Sequence, residues 1–226
     1  MADELEASQQ KQAYEAIRAG IVFATYKPSV RLPVRALCEE LSIGRTPMRE
    51  ALVRLQQEGL ARSVPHSGTY PAYIDLAAAE NARYVRKNLE TAVAAECSQA
   101  MGEQSLARLD ASLAAQREAA SRRDARDFFE GEGRFYRELF EAVGKGDIWT
   151  WIDGLSVSLD RVRWLSMRTE KFDWEGVLAQ RTAVRDAICA HDVTAVCQLE
   201  TQYLNGLLAC TDTVTTRFGE YFAPKA

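Results

Sequence analysis

Strand-forming sequence occurs in one short stretch of this chain, and that restriction governs what the rest must build. Two β-like runs, Leu60 to Val64 and Thr69 to Tyr73, flank Pro65-His66-Ser67-Gly68, which reads as a hairpin. Three helical patterns precede it. Residues 9 to 25 place Tyr14, Ile17 and Ile21 on one face and end at Lys27-Pro28-Ser29, because the residue before proline disfavours helical geometry. A second helix starts around Pro33, which suits a first-turn position, with Leu37, Cys38 and Leu41 on one side. After the tight connection Ser42-Ile43-Gly44, a third runs from Thr46 to Glu58, with Met48, Leu52 and Leu55 as its buried stripe and Gly59 as its stop. This order of elements is that of a winged helix-turn-helix, whose short middle turn lets one helix cross a nucleic-acid backbone while the next enters the major groove.

From Asp75 onward strand signals vanish and long helical periods take over. Helices are expected at about 75–101, 105–122, 124–143, 147–168, 173–190 and 192–217, with Asp75, Ser105, Asp124, Asp173 and Asp192 as N-caps. Gly144-Lys145-Gly146 and Ala190-His191 are the clearest breaks. The expected fold class is therefore mainly α: a winged helix-turn-helix of three helices and a hairpin over 1–74, then an all-α helical bundle over 75–226.

Charge separates the same two regions. Residues 8 to 73 hold nine Lys/Arg against five Asp/Glu, whereas the remainder holds 19 against 27, within a formal net charge of −4. A basic N-terminal third on an acidic body suggests a phosphate-facing module joined to something with another task. No run approaches the roughly 18 apolar residues of a membrane span, and the polar, acidic start MADELEASQQKQ is neither a signal nor a transit peptide, so a cytoplasmic location without membrane partners is expected. Five cysteines without CxxC spacing read as reduced, mostly buried thiols, and two histidines are too few for a histidine-rich metal centre.

The third helix carries the chemistry. Arg45 and Arg49 sit four residues apart, away from the Met48, Leu52 and Leu55 stripe, and arginine suits bidentate recognition of guanine or phosphate. Gly44, Thr46 and Pro47 lie at the helix start, where backbone N–H groups are free to meet a phosphate. Arg35 adds a basic group from the second helix, and His66, Ser67 and Gly68 form the hairpin tip. Singly, each has a bland explanation as a solvated face or a plain turn. Together, the stretch RLPVRALCEELSIGRTPMREALVRLQQEGLARSVPHSGTY resembles the DNA-binding domain of the GntR family of bacterial regulators, over residues 10 to 73. The resemblance implies DNA contacts from Arg35, Arg45, Thr46, Arg49 and Gly68. Ser29, Val34 and Gly44 depart from the family pattern; Gly44 stands where a serine is usual, which removes an N-cap or phosphate contact.

The remainder is similar, more loosely, to the FadR subfamily, whose C-terminal helical domain is called FCD. YVRKNLETAVAAECSQA resembles its opening helix, with Arg86 and Glu90 four residues apart; GEGRFYRELFEAVGKGD and QRTAVRDAICAHDVTAVCQLETQYL resemble later segments. Many members hold a metal through an aspartate and three histidines. The matching positions here are Glu132, Tyr136, Gln180 and Gln202, and glutamine amides are poor substitutes for imidazole, so no metal or other cofactor is expected. These polar groups lie on apolar stripes and must find partners, since burying one unpaired costs roughly 1–3 kcal/mol. A pocket lined by Arg86, Glu132, Tyr136, Gln180 and Gln202 would suit a small polar ligand, with Arg86 or Arg163 clamping a carboxylate. The alternative is a mutually satisfied core network or a water-filled remnant. Trp149, Trp151, Trp164 and Trp174 fit either an aromatic subsite or plain core and interface positions.

The expectation is a repressor that binds a palindromic double-stranded operator as a homodimer and responds to a small-molecule effector, with a helical DNA-binding or interaction protein lacking an effector as the alternative. An enzyme is not expected, because no nucleophile–base pair, glycine-rich phosphate loop or metal set is present in the sequence.

Overall fold

A computed structural model describes residues 2–223. It divides into two compact units, one formed by residues up to Asp75 together with those from Thr215 onward, the other by Leu76–Val214.

In the first unit, α1 (Ala2–Val22) and α3 (Arg45–Gln57) pack through Ile17, Ile21, Met48, Leu52 and Leu55, all 8% exposed or less. Tyr14 reinforces that packing: its hydroxyl donates to Glu58 at 2.6 Å, and burial followed by the Glu58 carboxylate pushes its pKa up to about 12. α1 stops three residues before the expected end. The Tyr26 ring folds over Gly20, where any Cβ would collide with it, and the turn passes through Ala24 in the left-handed region at φ 57°. α2 (Val34–Glu40) buries Leu37. Gly59, at φ 72°, closes α3 and lets the Leu60 N–H reach the Leu55 carbonyl at 2.8 Å. β1 (Ala61–Val64) and β2 (Gly68–Pro71) then pair antiparallel, Ala61 opposite Pro71 and Val64 opposite Gly68. The Leu32 N–H donates to the Thr69 carbonyl at 2.9 Å, tying the hairpin to the segment before α2.

The second unit is all-α: α4 (Leu76–Ala100), α5 (Glu103–Ser121), α6 (Ala125–Ala142), α7 (Gly146–Leu155), α8 (Val157–Met167), α9 (Trp174–Cys189) and α10 (Val193–Gly206). α11 (Thr211–Arg217) crosses the division between units and leads into a 3-10 turn, Gly219–Tyr221. Asp124, Asp173 and Asp192 cap α6, α9 and α10 by accepting backbone N–H bonds. Ser105 does not cap, because α5 begins two residues earlier behind Gly102. Two expected helices are each split. The expected 147–168 helix breaks at Ser156, whose hydroxyl takes the Ile152 carbonyl at 2.7 Å and so competes with the helical ladder. The 192–217 helix breaks after Asn205-Gly206, leaving a turn over 207–210. The main core gathers Val93, Leu109, Phe135, Leu139, Phe140 and Val184, and a second cluster joins Phe128, Met167 and Trp174. Trp149, Trp164 and Trp174 are buried, whereas Trp151 is 68% exposed. Among the cysteines only Cys97 is fully buried; the expected mostly buried set is otherwise at partly exposed positions, and all five are free. No helix among the described residues is long and apolar enough to cross a membrane.

Candidate DNA-binding face and effector cavity

α3 presents its two faces as its periodicity requires. The inner stripe is buried, and Arg45, Thr46 and Arg49 are exposed on the outer side. Neither arginine forms an ion pair among the described residues. Gly44 precedes the helix in an extended conformation with no side-chain cap, which leaves the first backbone N–H groups open to an anion. Pro47 corrects the expected contact set: it falls on the inner face one turn before Ala51 and is buried, so it shapes the helix start without facing a partner.

An open depression of about 760 Å³ lies beside α3, walled by Arg31, Arg35, Arg45, Arg49, Gly68 and Thr69 among others. A second, of about 720 Å³, lies on the other side and includes Thr46, Arg49, Glu50 and Val53. Arg45 and Arg49 border both, so they form a cationic ridge between two hollows, a shape that fits a major groove. Arg35 is held by Glu39 at 3.1 Å on the α2 surface, an exposed pair worth little that leaves it able to exchange partners. His66 is exposed at the hairpin tip with φ 57°. Ser67 is partly committed, its Oγ lying 2.6 Å from the Tyr70 hydroxyl. Gly68, at φ 124°, sits directly against the Arg31 guanidinium, where a Cβ would collide with Nε. Arg31 escaped the sequence reading; its signal was its place three residues after Pro28 in the segment that pairs with the hairpin.

In the second unit, an open cavity of about 780 Å³ is bordered by α6, α8, α9, α10, the 207–210 turn and α11. Glu132, Arg163, Gln180 and Gln202 line it. Arg86 and Tyr136 do not; both are buried in the bundle behind that wall, which corrects the expectation that they face the ligand. The reason is a continuous ionic network. Arg86 holds Glu90 at 2.5 Å and lies 3.5 Å from Asp160; Arg163 holds Asp160 at 3.0 Å and Glu132 at 2.7 Å. Arg181 holds Glu200 at 3.2 Å, and Tyr136 donates to Glu200 at 2.8 Å. Tyr203 donates to Glu132 at 2.5 Å while the Arg181 guanidinium stacks 3.6 Å from the Tyr203 ring centre. Arg181, Glu200 and Tyr203 were not singled out from the sequence, although Arg181 and Tyr203 directly follow Gln180 and Gln202.

Burial pushes the Glu132 carboxyl up, but Arg163 and Arg181, with the Tyr203 hydroxyl and Arg86, outweigh it and hold the group below the usual carboxylate range. Glu90 goes the other way: burial dominates over Arg86 and raises it, with Glu200 adding to the rise. The donor set does not fit a divalent first-row metal. Both Glu132 oxygens are bonded, the Tyr136 hydroxyl belongs to Glu200, and the Gln180 amide nitrogen donates to the Leu199 carbonyl at 2.8 Å. That last bond fixes the amide orientation and leaves the buried Gln180 Oε1 without a hydrogen-bond partner.

Residues 9–70 match the family described as bacterial regulatory proteins, gntR family, and residues 83–206 match the FCD domain. The chain belongs to the GntR family and carries an FCD domain. It is 28% identical over 217 residues to the HTH-type transcriptional repressor RspR of Escherichia coli K12, covering 94% of this chain and 93% of that protein. It is 25% identical over 221 residues, 96% and 91% of the two chains, to an uncharacterized HTH-type transcriptional regulator from an unstable DNA locus of Streptomyces ambofaciens. Among solved structures, E. coli McbR/YncC superposes with TM-score 0.78 at 17% identity, over 93% of this chain and 98% of that one. A GntR regulator of Rhodococcus sp. RHA1 follows at TM-score 0.71 and 19% identity, over 95% and 99%. Both share the fold. This GntR protein is accordingly a transcriptional regulator with an effector-domain fold, and not an enzyme.

Proposed function

We propose that this GntR regulator is a repressor that binds a palindromic operator as a homodimer and changes its operator affinity when a small carboxylate-bearing molecule enters the FCD cavity. The observation that carries the reading is the uncommitted Arg45–Arg49 ridge above an uncapped helix start. The E. coli relative RspR is a transcriptional repressor, which supports the sign of regulation. A 780 Å³ cavity with Arg163 and Lys171 on its border and Gln180 Oε1 awaiting a donor supports the effector. Trp151 and Leu155, 68% and 65% exposed and one turn apart on α7, support self-association as two large apolar side chains presented together on one helix face.

A second reading, a DNA-binding protein with no effector, draws on the mutual bonding of Glu132, Arg163 and Tyr203, which leaves few of their polar atoms in need of a ligand. A melting screen against small carboxylates and aromatic acids separates the two. A true effector at a hundred times its Kd raises the melting temperature by roughly 5–11 °C, and shifts affinity for DNA footprinted upstream of the protein's own gene. No shift across the panel favours the second reading; no preference over random DNA at physiological salt removes the operator-specific repressor. For the dimer, light scattering is expected to give twice the chain mass, and the double variant Trp151→Asp, Leu155→Asp to give the monomer. A dimeric double variant would place the interface elsewhere.

A further inference from the structure

The end of the chain leaves the effector unit and becomes part of the DNA-binding unit. There Tyr221, 3% exposed, makes two bonds to two different segments. Its hydroxyl donates to the Ala24 carbonyl at 2.9 Å, and its own carbonyl accepts the Ile74 N–H at 2.8 Å. Phe222 adds a parallel bridge to Ile74, and Glu220 lies 3.4 Å from Lys27. Ala24 is the left-handed residue in the turn after α1, a conformation that persists only when its surroundings hold it. Ile74 lies three residues beyond β2. One residue therefore fastens both the turn that leads towards α2, through its hydroxyl, and the segment that leaves the hairpin, through its backbone carbonyl. The other end of the same segment is α11, whose Thr213 borders the effector cavity and whose Val214 is fully buried. Only Thr215, Thr216 and Arg217, still helical, lie between the cavity unit and the strap.

We propose that Tyr221 is a positioning residue for operator binding, and that α11 passes the state of the effector cavity to it; the second half rests on the effector reading above. α11 runs as unbroken helix from Thr213 to Arg217, advancing about 1.5 Å per residue, and so offers a displacement a continuous path to the start of the strap, where a flexible linker would dissipate it. Coupling between two sites requires such an element, biased by both.

The test uses the full chain and needs no identified ligand. Tyr221→Phe keeps the ring and removes the Ala24 bond; operator affinity by fluorescence anisotropy is expected to fall about threefold to tenfold, the worth of one net hydrogen bond. Thr213→Trp fills the cavity from the α11 side and stands in for an effector; operator affinity is expected to change by roughly fivefold or more, with Thr213→Leu moving it the same way by less. Three glycines inserted after Arg217 leave the strap docked and break the rod. Basal affinity is then expected to stay within about twofold of the parent, and the Thr213→Trp response to vanish. A merely structural Tyr221 would not produce that loss. Unchanged operator affinity in Tyr221→Phe, no response from either Thr213 variant, or a response that survives the glycines overturns the proposal. The effector reading is judged separately, by ligand-induced melting shifts that involve none of these variants.

Discussion

Glu132→Gln is expected to lower the melting temperature by roughly 6–20 °C, the loss that follows when one partner of a buried ion pair disappears and about 3–5 kcal/mol is forfeited. Glu132 is 1% exposed and carries Arg163 on one oxygen and Tyr203 on the other. A glutamine fills nearly the same volume, so the expected loss reflects charge and not a void. What remains is Arg163, 6% exposed, with one acid in place of two, and Arg181, fully buried, which keeps Glu200 at 3.2 Å but loses its second anion 3.8 Å away. Glu90→Gln supplies the contrast. The buried network sets Arg86, Arg163 and Arg181 against Glu90, Glu132, Asp160 and Glu200, and burial already biases Glu90 towards its neutral form, with Oε2 unpartnered. Burial opposes the charge on Glu90, whereas the surrounding cations favour the charge on Glu132, so Glu90→Gln is expected to cost less than half as much. The pH dependence has a definite sign. The folded-state pKa of Glu132 is held below its unfolded value, so its contribution is fully present above the ordinary carboxylate range and is lost as pH falls through the folded value. The gap between the native protein and Glu132→Gln in thermal melts should therefore narrow on acidification. Equal losses from the two glutamine variants, or a gap that stays constant into acid, would defeat this account of the network.

Much of the fold was open to inspection in the sequence because local rules and tertiary packing agree there. Met48, Leu52 and Leu55 recur at helical spacing and are buried; Gly59 terminates α3 with the positive φ that glycine permits; Asp124, Asp173 and Asp192 cap the helices they precede. Where the reading missed, a contact outside the local window decides. The end of α1 depends on Tyr26 closing over Gly20, and the α7–α8 break on a serine hydroxyl whose choice of the Ile152 carbonyl no composition rule foretells. The return of residues from Thr215 onward to the first unit was invisible, because Phe218-Gly219-Glu220-Tyr221-Phe222 lies past the end of the expected 192–217 helix and shows nothing that says which unit it joins.

The candidate effector site was half legible for a related reason. Polarity on an apolar stripe reveals that Arg86, Glu132, Tyr136 and Gln180 turn towards the interior of a bundle, but not on which side of a buried network each one ends. Arg86 and Tyr136 finish on the far side and satisfy Glu90, Asp160 and Glu200; Glu132, Arg163, Gln180 and Gln202 finish at the cavity. The two alternatives left open from sequence, a pocket or a satisfied network, thus stand side by side in space. The network fixes the back wall, and the cavity opens in front of it.

In the first unit, Arg49→Ala is expected to weaken operator binding by about 5- to 150-fold, the 1–3 kcal/mol carried by a bidentate arginine–base contact, with little change in melting temperature. The fold is indifferent to this residue, because Arg49 is exposed and has no ion-pair partner among the described residues. Its neighbour one turn earlier makes the informative comparison. Arg45 opens α3 beside uncapped backbone donors, a place where a phosphate is the natural partner, so Arg45→Ala should weaken specific and random DNA alike and reduce the slope of log affinity against log salt by about 1. Arg49→Ala should instead erode the preference for operator over random DNA, since a base contact adds to specific binding only. Anisotropy titrations of both variants on both DNAs at two or more salt concentrations check the pair. Should Arg49→Ala lower affinity equally for operator and random sequence, the ridge grips the backbone alone, and sequence must be read from the hairpin tip at His66 or from the deformability of the duplex.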